Sequence, residues 1–376
     1  MAVSNRVIVS VTNDLYTDQR VHKVCLFLEK QGYSVLLVGR KRKSSVDLVE
    51  RSYKTKRLNL YFDKGAKFYA EYNLRLFFFL LFKRSKFLVS NDLDTLLANY
   101  AASKFNPVTK LVYDSHEYFT EVPELINRPK IQKIWEGIEA WIFPKLRAIY
   151  TVNKSIADLY QQKYKKEVKV VRNISSLWIP TNLKSKKELG IPENKKLLII
   201  QGAGINIDRG AEEAVKAMKF IENAVLMIVG DGDVVSQLKE FVIENNLSEK
   251  VLFFDRQPYL EMMNFTYHAD LGLTLDKPTN LNYRFSLPNK VFDYIHTGTP
   301  IIATDLVEIS NIVNTYDVGR IITDFTPQNL AKLITELLSD TELLNHLKDN
   351  CLKAKEIENW EKETEILQEI YPKFVR

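Results

Sequence analysis

Short apolar runs alternate with amphipathic helical stripes along nearly the whole chain, and the alternation occurs twice. A strand that reaches the next strand through a packed helix returns in the same direction, so this rhythm predicts parallel sheets covered by helices. In the first series the predicted strands are Arg6–Thr12, Ser34–Gly39, a weaker Leu58–Phe62, Phe87–Ser90, Leu111–Asp114, Ala148–Val152 and Val168–Val171. Gln19–Gln31 carries a helical stripe of Val21, Val24, Phe27 and Leu28. Further helices are predicted at Lys67–Phe82, from a capping Asp92 through Ala102, and at Ile131–Phe143 and Ser155–Tyr164.

The second series runs through strands at Leu197–Gln201, Val225–Val229, Val251–Phe254, Leu271–Leu275, Ile301–Thr304 and Gly319–Thr323. Its helices are predicted from Ala211 and over Val234–Glu244, Leu260–Tyr267, Pro327–Leu338 and Glu342–Lys355. Between the series lies Trp178–Glu193, irregular and marked by Pro180, Lys184, Lys186, Lys187 and Pro192, which reads as a linker. A chain of 376 residues exceeds one ordinary core. The expectation is an α/β protein of two doubly wound domains, residues 1–178 and 195–356, joined by a linker at 179–194. Ligands of such sheets bind at the carboxyl ends of the strands, so the two domains are expected to face a central cleft.

Composition narrows the function classes. Two cysteines, Cys25 and Cys351, lie at opposite ends of the chain and form neither a disulfide framework nor a zinc pattern. The amino-terminal MAVSNRVIVSVTND reads as a first strand and not as a secretion signal. The longest apolar run, LFFFLLF at Leu76–Phe82, falls far short of the roughly 20 residues that span a bilayer. These features predict a cytoplasmic protein.

Charge is divided unevenly. Residues 1–180 hold 31 lysines and arginines against 17 acids, a net of +14, whereas the rest carry a net of −8. The basic half, with Arg40-Lys41-Arg42-Lys43 and Lys83-Arg84-Ser85-Lys86, fits an anionic partner surface. No nucleic-acid-binding motif is present, which favours an anionic membrane face over nucleic acid. A solvated surface with no partner, and LFFFLLF packed on the first sheet, fit the same residues.

The stretch Ser286–Asp305, SLPNKVFDYIHTGTPIIATD, carries the most chemistry. Ser286 is predicted as a helix cap, Pro288 as the first helical residue, Gly298 as the stop and Ile301–Thr304 as the following strand. Lys290 then stands in the first turn, where a helix N-terminus and a cation together attract anions, and Asp293 follows on the same face. A diphosphate on Lys290 and a ribose on Asp293 fit this pattern, as does an ordinary helix–strand unit with a solvated pair. Gln201–Gly210, QGAGINIDRG, is a glycine-rich strand end with Arg209 at the next helix start, and it lacks the dinucleotide spacing. Val229–Asp233, VGDGD, and the polar Arg256-Gln257-Pro258 end two further strands. In the first half, Asp114-Ser115-His116-Glu117 follows a buried strand. Asn13-Asp14 and Thr17-Asp18-Gln19-Arg20 follow another. His116 is placed to bond a sugar or move a proton; Asp18 also fits a plain helix cap. No nucleophile–base–orienter triad and no regular metal-ligand cluster is apparent.

In this order and spacing, these segments resemble glycosyltransferase family 4, retaining sugar-nucleotide enzymes of the GT-B architecture. The resemblance extends to the TDQRVHK helix, the YTVNKSIADLY segment and the terminal NWEKE helix. It implies two Rossmann-like domains, a nucleotide sugar bound in the second, an acceptor in the first, no metal, and a terminal helix (residues 357–376) that crosses back to the first domain. Arg209 and Lys290 take the positions of diphosphate contacts, and His116 that of the histidine near the transferred sugar. Asp293 takes the second acidic position of the family's two-glutamate motif. The donor site is expected to comprise Gly202, Gly204, Gly230, Asp231, Arg256, Gln257, Asn282, Ser286, Leu287, Asn289 and Asp293. The acceptor side is expected to comprise Asn13, Asp14, Asp18, Asp114 and Glu117. Three positions depart from the family: Phe285 replaces the first acid, with Asn282 a candidate substitute; Gly204 replaces an arginine; Asn13-Asp14 replaces a glycine pair.

The expected activity is transfer of a sugar, with retention, from a nucleotide diphosphate to a saccharide or lipid-linked acceptor in cell-surface glycan synthesis. The enzyme would be peripheral on the inner membrane face. A sugar-nucleotide epimerase of the same architecture would need acid and base groups flanking the sugar. A non-catalytic sugar-nucleotide or glycan-binding protein would need only the binding loops.

Overall fold

The computed structural model describes residues 5–16 and 18–374; Thr17 lies outside them. The chain divides into two compact units, one of residues 1–172 with 363–376 and one of residues 173–362.

The first unit runs β1 (Arg6–Ser10), α1 (Gln19–Lys30), β2 (Ser34–Lys41), β3 (Lys54–Asn59), α2 (Gly65–Leu81), β4 (Phe87–Asn91), α3 (Leu93–Phe105), β5 (Lys110–Ser115) and α4 (Pro123–Ile126). It continues with α5 (Pro129–Ile142), β6 (Ala148–Thr151), α6 (Lys154–Tyr164) and β7 (Lys169–Val170). Its seven strands form one parallel sheet in the order β3-β2-β1-β4-β5-β6-β7. The third strand lies upstream of the predicted Leu58–Phe62. Its KTKRLN alternates exposed polar and half-buried positions on a sheet edge, a pattern that an apolar-run criterion misses. Helix α2 buries Phe68, Tyr72, Leu76 and Leu80 against Ile8, Val38 and Leu88, so Leu76 and Leu80 of LFFFLLF pack on the sheet, with Phe77 and Phe79 partly buried beside them.

The second unit runs β8 (Lys196–Gly202), α7 (Ala211–Ala217), β9 (Ala224–Gly230), α8 (Val235–Glu244), β10 (Val251–Phe254), α9 (Tyr259–His268), β11 (Leu271–Thr274) and α10 (Leu281–Arg284). It continues with α11 (Asn289–Thr297), β12 (Ile301–Thr304), α12 (Val307–Tyr316), β13 (Gly319–Ile322), α13 (Pro327–Ser339) and α14 (Thr341–Ala354). The six parallel strands are ordered β10-β9-β8-β11-β12-β13. On β8, Leu198 and Ile200 face one core while Leu197 and Ile199 face the other. Burial on both faces is why the strand reads as an unbroken apolar run. The irregular 179–194 segment belongs to the second unit and is not a free tether, because Leu189 and Ile191 pack with Ile174 in its core.

The last helix, α15 (Trp360–Ile370), starts in the second unit, and the chain joins the first at Glu363. Within the first unit Glu363 grips Arg172 by two side-chain hydrogen bonds of 2.9 and 2.6 Å and accepts its peptide N–H at 2.6 Å. Tyr371 is buried beside Tyr150 and Phe87, and the Phe374 N–H donates to the Gln31 carbonyl.

Candidate functional site

In both sheets the strand order runs outward in two directions from the first strand, which opens a crevice beyond the carboxyl ends of the two strands at the reversal. In the second unit those strands are β8 and β11. Beyond β8, Gly202 pairs in register with Gly230 of β9, and both are in the left-handed half of backbone space, φ +137° and +142°. A Cβ on Gly230 would lie 1.9 Å from the Gly202 carbonyl oxygen, so only glycine permits this approach. The Asp231 N–H then donates to Gly202 O and the Ile205 N–H to Asp231 O, which ties the two glycine loops together. Gly204 and Asp231 are exposed on that loop, and Asp231 accepts the Gly232 N–H at 2.8 Å.

The loop ends in Arg209, which meets a partner from the other reversal strand. Just beyond β11, Asp276 is fully buried; its Oδ1 accepts from Arg209 Nη1 at 2.7 Å, and its Oδ2 lies 3.9 Å from Lys290 Nζ. Thr274 Oγ1 donates to the same Oδ2 at 3.2 Å. The Arg209 guanidinium also stacks 4.2 Å from the Tyr283 ring centroid. Burial opposes ionisation of Asp276, but Lys290 and Arg209 hold its carboxyl below the ordinary range. Burial, with the nearby Arg209, lowers the Lys290 ammonium despite Asp276. One carboxylate thus holds two cations, leaving an excess positive charge at the start of α11. Asp276 and Tyr283 escape motif reading. The available signal was a lone acid directly after a buried strand at the reversal point.

The start of α11 differs from expectation. The helix begins at Asn289, Pro288 stands outside it at the cap, and the Ser286 hydroxyl makes no cap bond and is buried without a partner. Gly298 does close the helix, at φ +73°. Leu287 packs on the core, Asn289 is exposed and Asn282 is half-buried. Asp293, expected at a ribose, is 3% exposed, and both its oxygens serve the protein. Oδ1 accepts from Ser175 at 2.8 Å and Tyr259 at 3.0 Å, and Oδ2 from Gln201 at 3.0 Å. Its carboxylate fixes β8, α9 and α11 to one another. Arg256 and Gln257 follow β10, an edge strand separated from β8 by β9, and Gln257 bonds the Asp255 carbonyl.

In the first unit the reversal lies between β1 and β4, and β5 is next. His116 follows β5 with Asp114 beside one ring nitrogen (Nε2–Oδ2 3.4 Å) and Asp92 beside the other (Nδ1–Oδ2 3.5 Å). Asp114, expected to touch an acceptor, is fully buried and pairs with buried Arg20 at 2.7 Å. Asp92 makes no cap bond to α3; its Oδ1 accepts the His116 peptide N–H at 2.8 Å. Burial works against the His116 imidazolium, but Asp92 and Asp114 raise its pKa to about 9. Burial pushes Asp92, Asp94 and Glu117 each up to about 7. Arg20 and His116 outweigh burial at Asp114 and bring it down to about 2. Asp94 accepts from Thr12 at 2.5 Å. Asn13 and Asp18 bond one another and the backbone of Leu15 and Val21, so both brace the turn into α1. Asp14 accepts from Ser45 at 3.2 Å. Among the described residues no three His, Cys, Asp or Glu side chains converge as metal ligands.

The fold is matched, at 16% identity and a TM-score of 0.78, by sucrose-phosphate synthase from Thermosynechococcus elongatus, over 97% of this chain and 98% of that one. Anabaena Alr3699/HepE, solved in complex with UDP-glucose, matches at 14% identity and a TM-score of 0.69, over 97% and 99%. The two Rossmann-like sheets define the GT-B architecture. Residues 182–354 match the family model described as Glycosyl transferases group 1. The chain therefore has the GT-B fold, and residues 182–354 of its second unit match a group 1 glycosyltransferase domain. A relative in sequence is chitobiosyldiphosphodolichol beta-mannosyltransferase of Candida albicans, 24% identical over 287 residues. That match spans 68% of this chain and 61% of the relative, less than two thirds of its length.

Proposed function

We propose that the protein transfers a sugar from a nucleotide diphosphate to a lipid-linked saccharide. The observation that carries this reading is the Arg209–Asp276–Lys290 arrangement at the reversal point of a group 1 domain. Two cations and the N-terminus of α11 would stabilise the charge that grows on the diphosphate as the sugar leaves. The bond from the anomeric carbon to the diphosphate oxygen breaks, and a bond to the acceptor hydroxyl forms. The acceptor proton passes to a phosphate oxygen, so the configuration is retained without a protein nucleophile. The lipid-linked acceptor is favoured by the name of the Candida albicans relative, and a nucleotide sugar by the UDP-glucose complex of Alr3699/HepE. We place the donor on the Gly202, Gly230 and Lys290 loops and the acceptor against the first unit near His116, Asp92 and Glu117.

Thermal-shift screening with uridine, guanosine and adenosine diphosphates should select one nucleotide. The matching donor should then yield product only when a lipid-linked saccharide is added. Conversion of donor alone would make the protein an epimerase, and donor binding without turnover across an acceptor panel would make it a binding protein. The anomeric proton coupling of the product reads the configuration. Inversion would replace proton transfer to phosphate by a base, for which Asp92 is positioned.

We also infer that the first unit docks on an anionic bilayer to reach that acceptor. Helix α2 presents Leu74 and Phe78 on its solvent side, Phe82 follows exposed at its end, and Phe105 adds a further exposed ring against Phe77. Lys83 lies over the Phe79 ring at 5.4 Å, and the Lys86 ammonium over Phe374 at 4.9 Å. Exposed aromatic rings on a basic unit suit the headgroup layer. No described helix is long and apolar enough to cross a membrane. Flotation with phosphatidylglycerol vesicles should carry the protein upward at low salt and less at high salt. Phe78→Ser with Phe82→Ser should abolish it. Absence of flotation at either salt would reject docking.

A further inference from the structure

We propose that Asp114 and Arg20 are positioning residues that hold the His116 ring doubly protonated and clamped against Asp92, a partly exposed carboxylate of the cluster. The inference rests on the reading of this edge as the acceptor side. A ring nitrogen that faces an acceptor has to carry a proton, and here both nitrogens face acceptors. Nε2 lies 3.1 Å from Asn91 Oδ1 and 3.4 Å from Asp114 Oδ2, and Nδ1 lies 3.5 Å from Asp92 Oδ2. A neutral ring satisfies only one side. The backbone adds a second clamp, since the His116 N–H donates to Asp92 Oδ1 and the Asp92 N–H donates to the Asp114 carbonyl at 2.8 Å.

Arg20 secures the buried end. It is 4% exposed, donates to Asp114 Oδ1 at 2.7 Å and to the Val171 carbonyl at 2.8 Å, and lies over the Tyr150 ring. Without it, the fully buried Asp114 would face His116 alone. The charged groups around the ring are Arg20 from α1, Asp92 and Asp94 from the start of α3, Asp114 from β5, and Glu117 beyond it. Glu124 of α4 bears on Glu117, and Arg40 of β2 on Asp94. A ring with one proton facing Asp92 and the other facing Asn91 and Asp114 neither abstracts a proton nor donates freely to a sugar. Its role is to aim Asp92, and the group that meets the acceptor hydroxyl is the carboxylate.

Proton–carbon spectra of the histidine-labelled protein test this, with His116→Gln identifying the resonance among five histidines. The wild-type ring should remain charged to about pH 8, since it titrates at about 9. Asp114→Asn removes one carboxylate and leaves Arg20 repelling the ring. The titration should fall by about one unit or more, a tenfold loss of proton affinity. Asp92→Asn, at a partly exposed position, should act in the same direction and serves if Asp114→Asn does not fold. In transfer assays with Asp114→Asn the alkaline limb of the pH profile should move down equally. A wild-type ring that titrates near the ordinary histidine value, or one unmoved in both variants, overturns the inference. The spectra need neither donor nor acceptor, so this outcome stands apart from whether transfer is detected.

Discussion

Asp276→Asn is expected to unfold the second unit at markedly lower denaturant concentration than the wild type. The substitution keeps the shape of the side chain and removes the carboxylate held by both Arg209 and Lys290. Breaking one partner out of a buried ionic cluster costs about 3–5 kcal/mol, because the remaining charges stay desolvated without compensation. Lys290 is 13% exposed as a side chain and Arg209 26%, so solvent screens part of that and the lower end of the range is expected. Ligand binding gives a second readout. A diphosphate brings the missing negative charge, so the ligand-induced thermal shift should be larger in the variant than in the wild type. Equal stability and equal shifts would mean that Asp276 does not hold the two cations.

Arg209→Ala and Lys290→Ala should each reduce transfer by roughly 10²–10³-fold, the loss seen when one preorganised donor to a developing charge is removed. Both residues sit at element starts, and neither belongs to the apolar cores, so circular dichroism should stay native. The double variant should lose less than the product of the two, because each cation shares Asp276 with the other. Wild-type rates in either single variant would remove the diphosphate assignment.

The sheets were legible because parallel strands buried on both faces spell themselves as apolar runs, as at Leu197–Ile200. β3 was misplaced because its edge position relaxes that rule. The glycine loops were legible too, since Gly202 and Gly230 do locally what only glycine can. Charged positions were harder. Arg209 was read as a bare cation, yet its meaning comes from Asp276, 67 residues on. Asp293 was read as a ribose contact, and nothing in its neighbourhood announces that Ser175, 118 residues away, donates to it. Asp114 looked accessible at a strand end, and Arg20 from a distant helix had already claimed it. A carboxylate's role depends on which donors reach it, and long-range donors leave no mark in local sequence.

The return of the chain at Glu363 gives the first unit a delayed completion. Residues 1–172 are synthesised before the whole of the second unit, yet Arg172, Tyr150 and the Gln31 carbonyl wait for Glu363, Tyr371 and Phe374. Until then the nascent first unit lacks the cover over Phe87 and Tyr150 that Tyr371 supplies. The second unit, continuous in sequence, has no such dependence, so a nascent chain would hold a finished second unit before a finished first one.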